Sequence, residues 1–554
     1  MRDPSRRLST AEAAIETLLA HGIDTLYALP GVHNDPLFDA AHAAQPRLRV
    51  LHARHEQTAA YMALGAALAT GRPQPYCVVP GPGVLNSSAA LLTAYGMGAP
   101  VVALAGQIPS FAIDRGHGHL HELSDQLGLL RHITKRAERI EAPHEAGPKL
   151  AEAIRASVSG RPGPVALECA IDVWGRRGPA ATPGPLPREV PPLDPEAVER
   201  AADILAKAER PLILAGGGAL DAAPALARVA ELLGAPVATF RRGRGAVPTT
   251  HPLAVSFTEG HRFWAEADVV LAVGTRAYIQ QSVWGLDHRL KLIRIDIDPA
   301  EPDRFRHASC AIVADARPAL EALAEAIEAR GREGTGWGAA LDANRAWFAE
   351  KLEAMQPQLG FMRAIRAALP EDGIYVEDVT QIGFISRLAW PVAQPRLYLS
   401  PGHQDNLGWA YGAALGAQAA MPGRKVVAVC GDGGFMYQAQ ELATAMHHKL
   451  PVVAVVFDDG AFGNVRRIQE ERFGSRLIAS DLTNPDFVAF ALSFGAGGYR
   501  AETPEALEAA LREAFARDEP AIVQVPVGAM PSPWGLIALP RVRGREEPKR
   551  PALP

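Results

Sequence analysis

Residues 425–463 read KVVAVCGDGGFMYQAQELATAMHHKLPVVAVVFDDGAFG, and the fold turns on them. Lys425–Cys430 and Val452–Phe457 are apolar runs rich in Val. Each ends at acid and glycine: Gly431-Asp432-Gly433-Gly434 in one case, Asp458-Asp459-Gly460 in the other. Apolar runs without polar alternation suit strands buried on both faces, as in parallel sheets. The stretch between them, with Gln440-Glu-Leu-Ala-Thr-Ala-Met446, has helix-forming composition. Strand, helix and strand in that order form a parallel crossover unit. The 24 residues between Gly433 and Asp458 are enough for one helix and one strand. Both acidic turns therefore fall at the same carboxyl edge, where such sheets bind ligands.

The same grammar continues outward. Tyr76-Cys-Val-Val and Pro100-Val-Val-Ala-Leu are strand-like, with a helical stretch from Leu85 to Tyr95 between them. Pro211-Leu-Ile-Leu-Ala runs into Gly216-Gly-Gly, Asp268–Val273 ends at Gly274, and Leu292–Ile297 ends at Asp298-Pro. Two breaks divide the chain: the proline-dense GRRGPAATPGPLPREVPPLDP (175–195) and the glycine-rich RGREGTGWG (330–338). The expected fold is α/β: three doubly wound domains with mainly parallel sheets. The expected boundaries are an N-terminal domain over 1–175, a linker 176–194, a central domain 195–330, a linker 331–350 and a C-terminal domain with its tail over 351–554.

Composition narrows the function. At 554 residues, 48% hydrophobic and 21% charged, the chain has a globular profile, which excludes disordered and fibrous classes. A net charge of −5 argues against a nucleic-acid partner. The cysteines Cys77, Cys169, Cys310 and Cys430 are widely spaced, as expected of a reduced, cytoplasmic protein. No apolar run of about 18 residues predicts a membrane span, and the N-terminus has no signal-peptide core.

Gly431–Gly434 is where the sequence points to chemistry. A glycine turn between a strand and a helix N-terminus cradles anions, because free N–H groups face the ligand. A carboxylate such as Asp432 is a hard oxygen ligand suited to Mg²⁺ or Ca²⁺. Gly-Asp-Gly alone is commonly just a turn; its pairing with the second acidic strand end makes it a site. A dinucleotide fingerprint is excluded, since the third glycine is missing.

The segment 431–463 resembles the thiamine-diphosphate motif of the acetolactate synthase, pyruvate oxidase and benzaldehyde lyase superfamily. That resemblance implies three domains: pyrimidine-binding, central and diphosphate-binding. It implies Mg²⁺ held by Asp432, the side chain of Asp459 and the backbone carbonyl of Ala461. Gly431, Gly433, Gly434 and Phe462 would line the cofactor. Asp458-Asp459 stands where the family usually has Asn-Asn, so the site is more negative than usual.

Leu51-His-Ala-Arg-His-Glu56, before an Ala-rich helical run, looks like the family's strand–Glu–helix motif. By itself Glu56 suits any first helical turn. The resemblance makes it the acid that activates the cofactor's pyrimidine, in a buried setting that keeps it protonated. Gly31 and the turn Pro80-Gly81-Pro-Gly83-Val-Leu-Asn86 would face the pyrimidine end. Leu407, in Pro401-Gly-His-Gln-Asp-Asn-Leu407, matches the apolar residue under the bent cofactor, although an ordinary core leucine is an equal reading.

His33 and His121 match substrate-pocket positions, and His117, His119 and His403 are weaker candidates. The H-x-H-x-H spacing at 117–121 also admits a metal, a surface loop, or a strand showing alternate residues. The central domain resembles one that binds FAD in some relatives and nothing in others. Arg242, Arg244 and Arg276 would meet its phosphates or stand as solvated charges. The implied reaction is decarboxylation of a 2-oxo acid with carboligation, like acetolactate synthase. A lyase or decarboxylase acting on a 2-hydroxy ketone or another 2-oxo acid is the alternative, and a non-catalytic relative is disfavoured by retained Glu56 and Asp432. The family pattern implies a homodimer or homotetramer with active sites between subunits.

Overall fold

The computed structural model describes residues 7–331 and 336–544. Residues 1–6 of the first domain, 332–335 of the second linker and 545–554 of the tail lie outside them. Three six-stranded sheets flanked by helices carry the fold. The chain divides into two compact units. One holds Met1–Glu189, Ala367–Thr380 and Leu399–Gly528; the other holds Val190–Arg366, Gln381–Tyr398 and Ala529–Pro554.

In the first unit, the N-terminal sheet runs Arg49–His52, Thr25–Ala28, Gln74–Val78, Val101–Gln107, Val165–Ala170, Arg136–Ile140, all parallel. Every residue of the central strands Val101–Gln107 and Val165–Ala170 is buried, as their mainly apolar patterns require, with Gln107 and Glu168 the polar exceptions. The chain steps outward from Thr25–Ala28 to the edge strand, then crosses back to Gln74–Val78. That reversal opens a crevice at the carboxyl ends of those two strands. Gly31 and the turn Pro80–Gly83 lie there.

The C-terminal sheet of this unit repeats the scheme. Its order is Tyr398–Leu399, Ile374–Glu377, Val426–Gly431, Val453–Asp458, Ala521–Pro526, Gly497–Arg500. The five strands after Tyr398–Leu399 pair in parallel with their neighbours, through to Gly497–Arg500. Its reversal lies between Ile374–Glu377 and Val426–Gly431, so Asp378 and Asp432 emerge side by side. The stretch after Gly431 is not one helix. It breaks into Asp432–Phe435, a 3₁₀ turn Ala439–Glu441 and Leu442–His448. Two consecutive glycines, poor helix formers, lie in the first piece.

Two helices join these halves. Glu56–Thr70 and Ala410–Ala420 are Ala- and Gly-rich and buried almost all round. Their backbones nearly touch: a Cβ on Gly65 would lie 1.9 Å from the Ala413 carbonyl oxygen, and one on Gly416 would lie 1.8 Å from that of Met62. Only glycine permits that approach.

The second unit is built on a parallel sheet, Ala254–Val255, Val237–Thr239, Pro211–Ala215, Val269–Val273, Lys291–Asp296, Cys310–Val313. The stretches expected as linkers carry structure. Arg177–Pro179 pairs antiparallel with Arg7–Ser9, and Ala339–Glu353 is a helix. All four cysteines are free and buried. Among the described residues, no helix is long and apolar enough to cross a membrane.

Candidate active site

The acidic turns meet as their spacing implied. Asp432 is buried, capped by its own turn through Gly433 N (2.8 Å) and by the Asn484 amide (2.6 Å). The same Asn484 amide donates to Asp458 at 2.8 Å, and the Gln524 amide donates to the other Asp458 oxygen at 2.8 Å. Asp458 is therefore held by two neutral donors. Asp459 accepts from Ala461 N at 3.2 Å. Burial, and next the Asp432 charge, push the Asp459 carboxyl up to about 6. Burial also raises Asp432, against its Asn484 and Gly433 donors, and Asp458 adds to the rise. By surface area Asp432 is buried, Asp458 half-buried and Asp459 exposed at its outer edge. Negative charges crowded in this way are relieved by a divalent cation, and an all-oxygen set suits Mg²⁺.

The glycines of the turn are closely packed by side chains. A Cβ on Gly433 would lie 2.6 Å from the Phe462 ring, and one on Gly434 would lie 3.1 Å from Asp378 Oδ2 and 3.2 Å from Leu407 Cδ1. Phe462 and Leu407 thus wall the turn, and Leu407 is half-buried rather than a core leucine. Gly431 lies against Thr380. Beneath the turn, Asp378 is fully buried and accepts both Val379 N (2.7 Å) and Gly408 N (3.1 Å). It pins the loop bearing Leu407 to the strand end. Burial pushes its carboxyl up to about 7. These residues fit a cofactor diphosphate with its cation: bare backbone, a hard oxygen set and an apolar wall.

The N-terminal half gathers a second set. Glu56 opens its helix behind His55, whose ring accepts Gln57 N at 3.1 Å. The Asn86 amide donates to Glu56 Oε2 at 3.0 Å, and a Cβ on Gly83 would lie 3.6 Å from Glu56 Oε1. Glu56 is half-buried, not enclosed as expected; it shares its open side with exposed Asn86 and Leu85. Gly31 is tight against Val79, and a Cβ on Gly81, at φ +56°, would lie 2.4 Å from the His121 carbonyl oxygen. Pro80 borders the same turn, against Gly106.

His33 and His121 stack with ring centres 5.0 Å apart. His33 is buried, and its Nε2–H donates to the Leu120 carbonyl at 3.1 Å. Burial, and then His121, lower its pKa. The Nδ1 atoms of both rings are buried without a protein partner. Residues 116–122 form an irregular loop, not a strand. Gly116, Gly118 and His121 have positive φ, and Glu122 folds the loop by accepting Gly116 N and His119 N. His117 is exposed and His119 half-buried on this loop, and His403 is exposed on the loop before Leu407.

In the central unit Arg244 is buried and donates to the carbonyls of Arg387 (2.9 Å) and Trp390, which makes it a structural staple. Arg276 pairs with buried Glu301 at 3.2 Å, and Arg242 packs over Gly217.

Sequence reasoning missed Asn484, Gln524 and Asp378. It also missed Gln126, which donates to the Gly106 carbonyl and to buried Glu168 and accepts Gly81 N at 2.9 Å. None of these lies in a motif; Asp378, Gln126 and Gln524 are buried polar residues, and Asn484 is half-buried.

Family models place three matches along the chain. They are the thiamine pyrophosphate enzyme N-terminal TPP-binding domain over 8–129, the central domain over 198–323 and the C-terminal TPP-binding domain over 378–525. The chain is 32% identical over 540 residues to a probable 2-ketoarginine decarboxylase of Pseudomonas aeruginosa, covering 94% of each chain. It is 33% identical over 558 residues to a probable acetolactate synthase large subunit of Methanocaldococcus jannaschii, covering 94% of this chain and 93% of that one. It is 30% identical over 548 residues to the acetolactate synthase isozyme 2 large subunit of Escherichia coli, covering 96% and 97%.

Proposed function

The chain belongs to the thiamine pyrophosphate enzymes, and from that premise we propose that it decarboxylates a 2-oxo acid and joins the remaining carbons to an acceptor carbonyl, as an acetolactate synthase does. Asp432, Asp459 and the Ala461 carbonyl would hold Mg²⁺ on the cofactor diphosphate, with Asn484 orienting Asp432. When bound, thiamine diphosphate supplies a nucleophilic carbon and an electron sink for loss of CO₂. Glu56, oriented by Asn86, holds a proton toward the cofactor's pyrimidine. His33 and His121 move a proton at the substrate's carbonyl oxygen. The carrying observation is the convergence of Glu56, Asn86 and Gly83 at one sheet reversal and of Asp432 and Asp459 at the other.

The minimum unit is a homodimer. Leu85, Leu92 and Tyr95 form an exposed apolar stripe on the helix that carries Asn86, and Glu56 is open on the same side. A second copy covering that stripe would complete the enclosure of Glu56.

A decarboxylase that releases an aldehyde is the second reading. It is favoured by the 2-ketoarginine decarboxylase relative and by the paired His33 and His121, whose Nδ1 atoms have no protein partner: His33 Nδ1, with the ring proton on Nε2, would accept a proton, and the His121 ring would deliver one to a carbon centre. The test incubates purified protein with thiamine diphosphate, Mg²⁺ and pyruvate, with and without FAD, and follows CO₂, acetolactate and acetaldehyde. Acetolactate carries the synthase reading. Acetaldehyde, or turnover only of a guanidino 2-oxo acid, moves the chain to the decarboxylases. No turnover of any 2-oxo acid with cofactor bound overturns both.

A further inference from the structure

A second constellation lies away from the acidic turn. His52 ends the edge strand Arg49–His52, and His447 and His448 end the helix Leu442–His448. One ring nitrogen from each lies within 4.8 Å of the other two. Among the described residues, no other group of three or more His, Cys, Asp or Glu ligand atoms converges so closely. Ring centres are 4.7 Å apart for His52–His447, 4.8 Å for His52–His448 and 4.7 Å for His447–His448. The ring planes are steeply inclined to one another, at 65°, 77° and 87°.

That is close to the arrangement of three imidazoles around one ion. Zn–N bonds of about 2.0–2.1 Å at tetrahedral angles put ring centres about 5 Å apart. His448 is also set up as a ligand. Its Nε2 lies 3.0 Å from the His52 carbonyl oxygen, which only accepts, so Nε2 carries the proton and Nδ1 carries the lone pair. A ligating histidine usually donates its other N–H in this way. His52 and His448 are half-buried while His447 is exposed, which leaves an entry path.

We propose that His52, His447 and His448 form a binding site for a late first-row divalent metal ion of the Zn²⁺ type, distinct from the Mg²⁺ site. Nitrogen-only donors select such ions over Mg²⁺. Beside this geometry, the surroundings of two of the rings favour the neutral form that ligates. Burial lowers the pKa of His52, helped by His447 and Arg54. Burial pushes His448 down to about 4, against its hydrogen bond to His52, with His52, His447 and Arg49 adding to the fall. Arg49 and Arg54 place positive charge near the site, so its affinity falls below that of a site flanked by carboxylates. His52 is four residues before Glu56, and next to it Arg54 N donates to the buried Glu441 carboxylate at 3.0 Å. A bound ion would therefore clamp the segment that delivers Glu56 to the C-terminal half.

The experiment uses the untagged full chain, stripped with chelator and resaturated with thiamine diphosphate and excess Mg²⁺ so that the oxygen site is filled. Zn²⁺ is titrated by calorimetry against a competing chromophoric chelator, and Co²⁺ is added in parallel as a visible-absorption probe. The expected result is one Zn²⁺ per chain and an intense Co²⁺ absorption of low-coordinate type. His447→Ala, an exposed change that spares the fold, and His52→Gln should each weaken Zn²⁺ binding at least tenfold. Zn²⁺ should also raise the melting temperature of the parent chain but not of His447→Ala. Unchanged Zn²⁺ affinity in both variants, or no binding at micromolar free Zn²⁺, overturns the site.

Discussion

Glu56 and Asn484 are residues whose roles separate cleanly on substitution. Glu56→Gln keeps size and the Asn86 contact but removes the transferable proton. Turnover should fall by about 10²–10⁴-fold, the usual contribution of a positioned acid, while calorimetry shows the cofactor still bound. Asn484→Ala removes the donor shared by Asp432 and Asp458. Outer-shell losses of this kind weaken metal binding by about 10–100-fold, so the Mg²⁺ activation curve should move by that factor. Asp296 tests electrostatics elsewhere. It is 9% exposed at a strand end of the central sheet, and burial pushes its carboxyl up to about 6. An unfolded Asp titrates near 4, so the folded state holds the proton more tightly and loses stability as pH rises from about 4 through 6. Denaturant unfolding should show the parent losing about 1–2 kcal/mol relative to Asp296→Asn between pH 5 and 8.

Elements were legible to different depths. The strands Val426–Gly431 and Val453–Asp458 announce themselves because a strand buried on both faces has no polar residue to confuse the pattern. From them the two acidic turns follow. Asn484 carries no such signal: it is 52 residues from Asp432, in a stretch without regular structure. Of the readings open for 116–122, the loop is the one found and the strand is not: its alternating histidines come from glycines at positive φ and not from a pleat. The burial of Glu56 was also overestimated, since sequence pattern does not say whether the covering surface belongs to the same chain. At this scale the helix pair Glu56–Thr70 and Ala410–Ala420 makes the sharpest prediction. Gly65→Ala or Gly416→Ala drives a methyl into a carbonyl oxygen. The loss of stability should exceed the roughly 1–3 kcal/mol of ordinary overpacking, read as a lower melting temperature.

For the whole molecule, the three-domain plan was readable from repeated strand–helix alternation and two composition breaks, whereas the assignment of segments to compact units was not. Residues 381–398 and 529–544 belong to the central unit although they are flanked by or follow C-terminal sequence, a long-range fact with no local cue. The dimer prediction belongs here: light scattering should give at least twice the 59.0 kDa chain mass, and Leu92→Glu on the exposed stripe should yield monomers with little activity. Active monomers would overturn it.

The helix pair also has a consequence for synthesis. Glu56–Thr70 has no polar face; one side packs on its own domain, and the cover for the other arrives only with Ala410–Ala420, after 339 intervening residues. At ribosomal rates of about 5–20 residues per second, that surface waits roughly 15–70 s for its partner. The nascent N-terminal half is therefore a client for whatever shields apolar surface at the ribosome, and its yield in the cell should depend on that protection more than the finished protein's stability would indicate.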